Sequence, residues 1–155
     1  MFGAIIGDLA GSVYEYEQIK THKSIEMHEV IEDNSFISDD SILTCAVADA
    51  MLNKKDFGKT LRKYVLDYEK FLPNFSPYFS TTFSPNLIKW AKIDQIGTSC
   101  GNGAMMRISP VGFLSSTEQE VLQNTRLATM PSHNSEESIK NASIIALIIF
   151  YSKNG

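Results

Sequence analysis

Runs of basic residues are missing from this sequence, and that removes one class of partners at once. Lysine and arginine together number 14 against 18 aspartates and glutamates, for a net charge of −4. A nucleic acid or an anionic membrane surface therefore meets no electrostatic footprint. Cysteine is scarce too. Cys45 and Cys100 are the only two, in an apolar and a Gly-rich stretch without metal-ligand spacing. They read as free thiols, as in a reducing, cytoplasmic compartment. No apolar run approaches the ~20 residues of a membrane span. Met1 leads into a short apolar run with no basic flank, broken by Asp8, so no secretory leader is read. Internal repeats and low-complexity segments are absent as well. What remains is ordinary: 155 residues, 43% hydrophobic and 21% charged, enough for a single domain with a real core.

One stretch organises the rest. Phe36-Ile37-Ser38-Asp39-Asp40-Ser41 sets two adjacent carboxylates between hydroxyls and opens into an Ala- and Leu-rich segment. Leu43, Ala46, Val47, Ala50 and Met51 recur at helical spacing, which predicts a helix with Ser38 as N-cap and both aspartates in its first turn. Two readings of the pair stay open. Asp39 and Asp40 can simply complement the helix dipole, each contributing about 0.3–1 kcal/mol. They can also serve a hard cation, since carboxylates and the Ser38 and Ser41 hydroxyls make an all-oxygen donor set suited to Mg²⁺. Adjacent helical residues point about 100° apart, so the two acids would splay rather than chelate one point.

Residues 2–16 form a candidate helix on which Gly3, Gly7 and Gly11 make a bare stripe for close backbone approach. Asp8 and Glu15 share a face with Gly11; either they are solvated acids flanking a small-residue packing seam, or they look across that seam at the Asp39/Asp40 helix end. Residues 17–37, with His22 and His28, read as a solvated connection. Residues 58–72 form a second amphipathic helix, with Leu61, Tyr64, Val65, Tyr68 and Leu72 as its buried stripe and Pro73 as its stop. Residues 73–86 read as an ordered loop, with Phe75, Tyr78, Phe79 and Phe83 packing beneath it or lining a pocket for a flat ring. Leu87–Ile93, with Trp90, makes a short helix.

Gly97-Thr98-Ser99-Cys100-Gly101-Asn102-Gly103 then puts three glycines in seven residues ahead of a plausible helix. Such a loop can offer amides to a phosphate, although turns use Gly-Asn-Gly freely. It is neither a Walker A loop nor a dinucleotide fingerprint. Thr117-Glu118-Gln119-Glu120 is a capping box that starts a helix running to about Met130. Pro131-Ser132-His133-Asn134 breaks it, and Asn134 with Glu137 opens the last helix. Residues 142–151 there are apolar nearly all round, so this helix should be covered on every side. That it stands at the end of the chain suggests missing sequence, self-association or a complementing partner chain over it.

In this order the pieces resemble the ADP-ribosylglycohydrolase family, the group that includes the glycohydrolase reactivating dinitrogenase reductase. The resemblance rests on residues 3–15 (Gly-Ala-Ile-Ile-Gly-Asp-Leu-Ala-Gly-Ser-Val-Tyr-Glu), on Ser38-Asp39-Asp40-Ser41, on residues 99–112 (Ser-Cys-Gly-Asn-Gly-Ala-Met-Met-Arg-Ile-Ser-Pro-Val-Gly) and on Ser132-His133-Asn134. It implies an all-α, compact orthogonal helical bundle holding two Mg²⁺ ions beside an ADP-ribose pocket, with residues 1–155 as one domain. It implies further that Ser38, Asp39 and Asp40 serve the metal and that Glu15 and Asp39 are catalytic, Glu15 as base or water-positioning group. By the same resemblance Asp8, Ser99, Cys100, Gly101, Asn102, Gly103 and His133 hold the substrate.

The reaction so implied is Mg²⁺-dependent hydrolysis of the glycosidic bond between ADP-ribose and an acceptor, a protein side chain or a small molecule. Two departures stand out. Ser replaces the commoner Thr around the Asp pair, and Cys100 stands where an aromatic is frequent. Family members are also longer, with a C-terminal Gly-Asp-x-Asp-Ser/Thr motif that supplies further metal ligands. No Asp-x-Asp pair occurs among Asp49, Asp56, Asp67 and Asp94. The expectation is thus the N-terminal three-fifths of the fold, its C-terminal portion missing and one metal position incomplete. The alternatives are a non-catalytic ADP-ribose binder and a structural relative like the family's crystallins.

Overall fold

The computed structural model describes residues 2–14, 29–71 and 81–155. Glu15, His22, His28, Leu72, Pro73, Phe75, Tyr78 and Phe79 lie outside the described residues. Within them the chain is all-α. Its helices are α1 Phe2–Gly11, α2 Asp39–Leu52, α3 Phe57–Asp67, α4 Pro85–Lys92, α5 Gly103–Met106, α6 Ser109–Leu114, α7 Glu118–Thr129 and α8 Glu136–Asn154. No strand occurs among the described residues, and one isolated antiparallel bridge joins Thr98 to His133.

Helix α2 is the hub. Ser38 caps it as its spacing predicts, its hydroxyl accepting from the Asp40 amide at 3.2 Å. Ile42, Leu43, Ala46, Val47 and Ala50 are buried, and Met51 is partly so. That face packs on α3 through Phe57, Leu61 and Val65 and on α6 through Val111. Helices α7 and α8 pack on each other and close the core with Val121, Ala128, Ala142, Ala146 and Phe150. Each fully buried Leu or Val contributes about 1.5–3 kcal/mol of transfer free energy, more than any single cap.

Several boundaries differ from the sequence expectation, each for a local reason. Helix α3 begins one residue early because the Asp56 carboxylate accepts from the Lys59 amide at 2.7 Å. It ends at Asp67, where the Tyr68 amide bonds to both Tyr64 and Leu66 carbonyls and tightens the chain into a turn. Tyr68 is accordingly exposed, stacked on Tyr64 with ring centroids 6.1 Å apart. Ser135, not Asn134, caps α8, its hydroxyl accepting from the Ser138 amide at 3.1 Å, while the Asn134 amide donates to the Gly97 carbonyl at 3.1 Å. Thr117 caps α7 as expected, but the Glu120 carboxylate reaches back to the Ser116 amide rather than to Thr117.

One packing expectation fails. Helix α1 stops at Gly11, and among the described residues nothing lies within 4 Å of where a Cβ would stand on Gly3, Gly7 or Gly11. The glycine stripe is not a packing seam here. Helix α8 buries Ala142, Ala146 and Phe150 and exposes Ile144, Ile145, Ile148 and Tyr151, an uncovered apolar face of the kind the sequence pointed to. Phe83, by contrast, is buried, the packing role foreseen for it. Among the described residues no helix is long and apolar enough to cross a membrane.

Contact between α6 and α8 depends on Gly112. A Cβ built there would stand 2.3 Å from the Ala146 carbonyl oxygen and 2.9 Å from Ile149 Cβ, and the oxygen belongs to backbone that cannot swing aside. Gly112→Ala should therefore destabilise the fold by about 1–3 kcal/mol, a fall in Tm of about 2–4 °C per kcal/mol at this size. Thermal unfolding followed by circular dichroism measures it; an unchanged Tm would show that the two helices separate without cost.

Candidate functional site

A cavity of about 620 Å³ opens between α2, α4, the 97–103 loop and the segment that follows α7. Asp39 from the first turn of α2 lines it, together with Ser99, Cys100, Gly101, Asn102, Gly103 and His133. These seven residues, all singled out in the sequence, come from three separate stretches of the chain and line one cavity. Leu87 and Trp90 of α4 supply an apolar side.

The loop is held by backbone pairing with the segment after α7. The Gly97 amide donates to Pro131 O at 2.8 Å and the Ser99 amide to Ser132 O at 3.1 Å. Trp90 Nε1 donates to the same Pro131 carbonyl at 2.8 Å. The Gly101 amide is already used, donating to Ser99 Oγ at 3.2 Å. Helix α5 is four residues long and Asn102 makes no side-chain cap, so the helix dipole expected to assist the loop is small. The amide cradle is correspondingly weaker than the sequence implied.

Asp8 sits elsewhere than expected. Its carboxylate does not line the cavity; it accepts from the Ser38 amide and hydroxyl at 3.0 and 2.6 Å and from the Ser41 amide and hydroxyl at 3.2 and 2.6 Å. An acid from α1 thereby satisfies the orphan donors at the start of α2. The look across at the Asp39/Asp40 end is real, but both oxygens of Asp8 are spent on holding it.

Ser38 and Asp40 lie beside that clamp rather than on the cavity wall. Burial first, and the nearby Asp8 charge second, push the Asp40 carboxyl above the usual carboxylate range, against the lowering that a first helical turn would give. A cation would relieve that crowding, so the donor chemistry of Asp39, Asp40 and the Ser38 hydroxyl fits a hard divalent ion. No group of three or more His, Cys, Asp or Glu placed to hold a metal ion occurs among the described residues. Glu15 lies outside them.

Two residues of the cavity wall, Arg107 and Ser132, had no role in the sequence analysis. Arg107, Ser132 and His133 form a buried chain along the cavity wall. Arg107 Nη2 donates to Ala128 O at 3.1 Å and to Ser132 Oγ at 2.7 Å. Ser132 Oγ lies 2.7 Å from His133 Nδ1. Arg107 Nε is buried without a hydrogen-bond partner. Burial lowers the guanidinium to about 10, so it stays charged at neutral pH. Burial, then the Arg107 charge, pushes the His133 imidazole down to about 4. A single basic residue inside the apolar run Met105-Met106-Arg107-Ile108 was the available signal, because a charge there must find partners indoors.

A histidine held neutral in the fold but ionisable when unfolded makes stability depend on pH. Between about 6.5 and about 4 the unfolded chain binds the extra proton. Stability from this group is full above that window and is lost as pH falls through it, by an amount on the order of 1–3 kcal/mol. His133→Gln should remove that part of the acid limb in a plot of Tm against pH. Identical acid limbs in parent and variant would show that His133 does not carry the loss.

Compared with known proteins, residues 1–155 match a family described as ADP-ribosylglycohydrolase. No curated protein matches the chain.

Proposed function

From the premise that the chain belongs to the ADP-ribosylglycohydrolase family, we propose that its cavity binds the ADP-ribosyl group and supports Mg²⁺-dependent hydrolysis of the glycosidic bond to an acceptor. The observation that carries this reading is the convergence of Asp39, the Ser99–Gly103 loop and His133 on one cavity of about 620 Å³, a size suited to a ligand of that class.

Each wall has a task in this reading. Arg107 offers the cavity a buried positive charge with an unpartnered Nε; a diphosphate would balance it. Ser99 and Asn102 add polar side chains beside it. Trp90 and Leu87 give a flat base an apolar surface. Asp39, Asp40 and the Ser38 hydroxyl would hold Mg²⁺ at the other end. The ion's contribution is to lower the pKa of a bound water and to offset charge developing near the sugar.

Asp8 fixes the Ser38–Ser41 turn so that those acids keep their position. Glu15 is assigned as base on its sequence match. It would take a proton from the attacking water while the hydroxyl adds to the anomeric carbon. The bond to the acceptor nitrogen or oxygen would break, and the acceptor would leave with the proton that Glu15 took from the water.

The test is release of ADP-ribose from arginine- and serine-linked substrates, with Mg²⁺ and again with EDTA. Release is expected to need Mg²⁺ and to fall at least about 100-fold, the scale of losing a catalytic group, when Asp39→Asn and Asp40→Asn are combined. Equal release in EDTA would refute the metal role. Binding of ADP-ribose without release from either substrate would refute hydrolysis and leave a binding protein.

A further inference from the structure

The buried chain from Arg107 to His133 constrains where protons can sit. Arg107 is 1%, Ser132 3% and His133 4% exposed, so the polar atoms must answer one another rather than bulk water. A guanidinium only donates. At 2.7 Å from Arg107 Nη2, Ser132 Oγ is therefore an acceptor on that side and has a single proton left to give. The atom 2.7 Å away on its other side is His133 Nδ1. If Ser132 donates there, Nδ1 carries no proton, and in a neutral imidazole the proton resides on Nε2. The opposite arrangement, Nδ1–H donating to Ser132, would leave the serine hydroxyl proton without an acceptor among the described residues, at a cost that buried polar groups rarely bear.

The Nε2 edge of the ring faces the Gly-rich loop. A Cβ on Gly103 would come within 3.1 Å of Cε1 and 3.2 Å of Nε2, so this edge of His133 abuts the loop that lines the cavity. The Nε2 atom has no hydrogen-bond partner among the described residues.

We propose that Arg107 and Ser132 are positioning residues that fix His133 in its neutral Nε2–H tautomer, making it a hydrogen-bond donor to an acceptor atom of the ligand at the Gly103 end of the cavity. The identity of that ligand as ADP-ribose rests on the reading given above; the relay itself does not. Acting through a neutral donor lets the site read an oxygen or ring nitrogen without setting a second cation beside Arg107. The low affinity of this imidazole for a second proton, caused by its burial, agrees with that role.

Imidazole nitrogen NMR at neutral pH on the whole chain decides it, with His133 assigned by comparison with His133→Gln. His133 should show an unprotonated Nδ1 and a protonated Nε2. Ser132→Ala, which removes one hydroxyl, should raise the ratio of the Nδ1–H to the Nε2–H form about tenfold, the effect of losing one hydrogen bond. An Nδ1–H or doubly protonated ring in the parent protein, or a tautomer ratio that Ser132→Ala leaves unmoved, overturns the proposal. If Ser132→Ala does not fold, the parent spectrum still decides, because it needs no variant. Saturation with ADP-ribose should shift the Nε2–H resonance while Nδ1 stays bare. A ring unmoved by bound ADP-ribose overturns the donor role. Failure to bind ADP-ribose at all would instead refute the reading of the cavity, and the spectrum of the ligand-free protein would still decide the relay.

Discussion

A guanidinium sealed inside the chain is the constraint on which the cavity depends. Removing a charge from water costs several kcal/mol even after relaxation, and Arg107 has no carboxylate partner among its hydrogen bonds. Its compensation is geometric. Ala128 belongs to the last turn of α7, where the carbonyls are orphaned and the helix dipole presents its negative end. Ser132 supplies the second acceptor just past that helix. The cation thus fastens the α5–α6 junction to the end of α7, and the segment it fastens is the one that pairs with Gly97 and Ser99 and carries His133 into the wall. Remove the charge, and the loop, the histidine and the cavity lose their common anchor.

A second electrostatic clamp holds the other end. Helix α1 buries none of its own residues, so hydrophobic packing contributes little to its attachment. The Asp8 carboxylate offsets this with bonds to two amides and two hydroxyls at the start of α2. Hydrogen bonds to a charged group are worth about 1.5–3 kcal/mol each. Ser12, on the turn after α1, adds one more by accepting from the Phe36 amide at 2.9 Å. The same acid that secures the helix also crowds Asp40. The carboxylate that stabilises the turn thus adds to the burial that raises the pKa of Asp40.

What could be read from the sequence was what short range determines. Ser38 as cap, the Leu43–Ala50 stripe, the Thr117 cap and the short helix around Trp90 all follow from neighbours within one or two turns, and all stand. The seven cavity residues were placed by motif resemblance rather than by physics, since nothing local brings Asp39 to the Ser99–Gly103 loop. Where the reading failed, a distant partner decided. Asn134 looked like a cap, but its amide bonds to Gly97 and Ser135 caps α8. Gly3, Gly7 and Gly11 looked like a seam, yet among the described residues nothing stands within 4 Å of where their Cβ atoms would be. Arg107 had no assigned role because its partners lie 21 and 25 residues away.

The two clamps together explain the order of charge along the cavity. Arg107 supplies a fixed cation on one wall, and Asp39 supplies an acid at the start of α2 on another. Between them in character stands His133, polar but neutral at physiological pH. A second positive charge a few ångströms from Arg107 would cost about 4 kcal/mol at an effective dielectric of 20, and the fold avoids that cost by leaving the imidazole unprotonated. The lining thus combines a cation, an uncharged imidazole and an acid. In the function proposed above, a ligand with a diphosphate at one end and sugar hydroxyls at the other would meet matching chemistry, whereas a uniformly anionic or uniformly cationic molecule would meet repulsion at one wall. Any preference for such a mixed ligand would then rest on the same buried arginine that holds the wall in place.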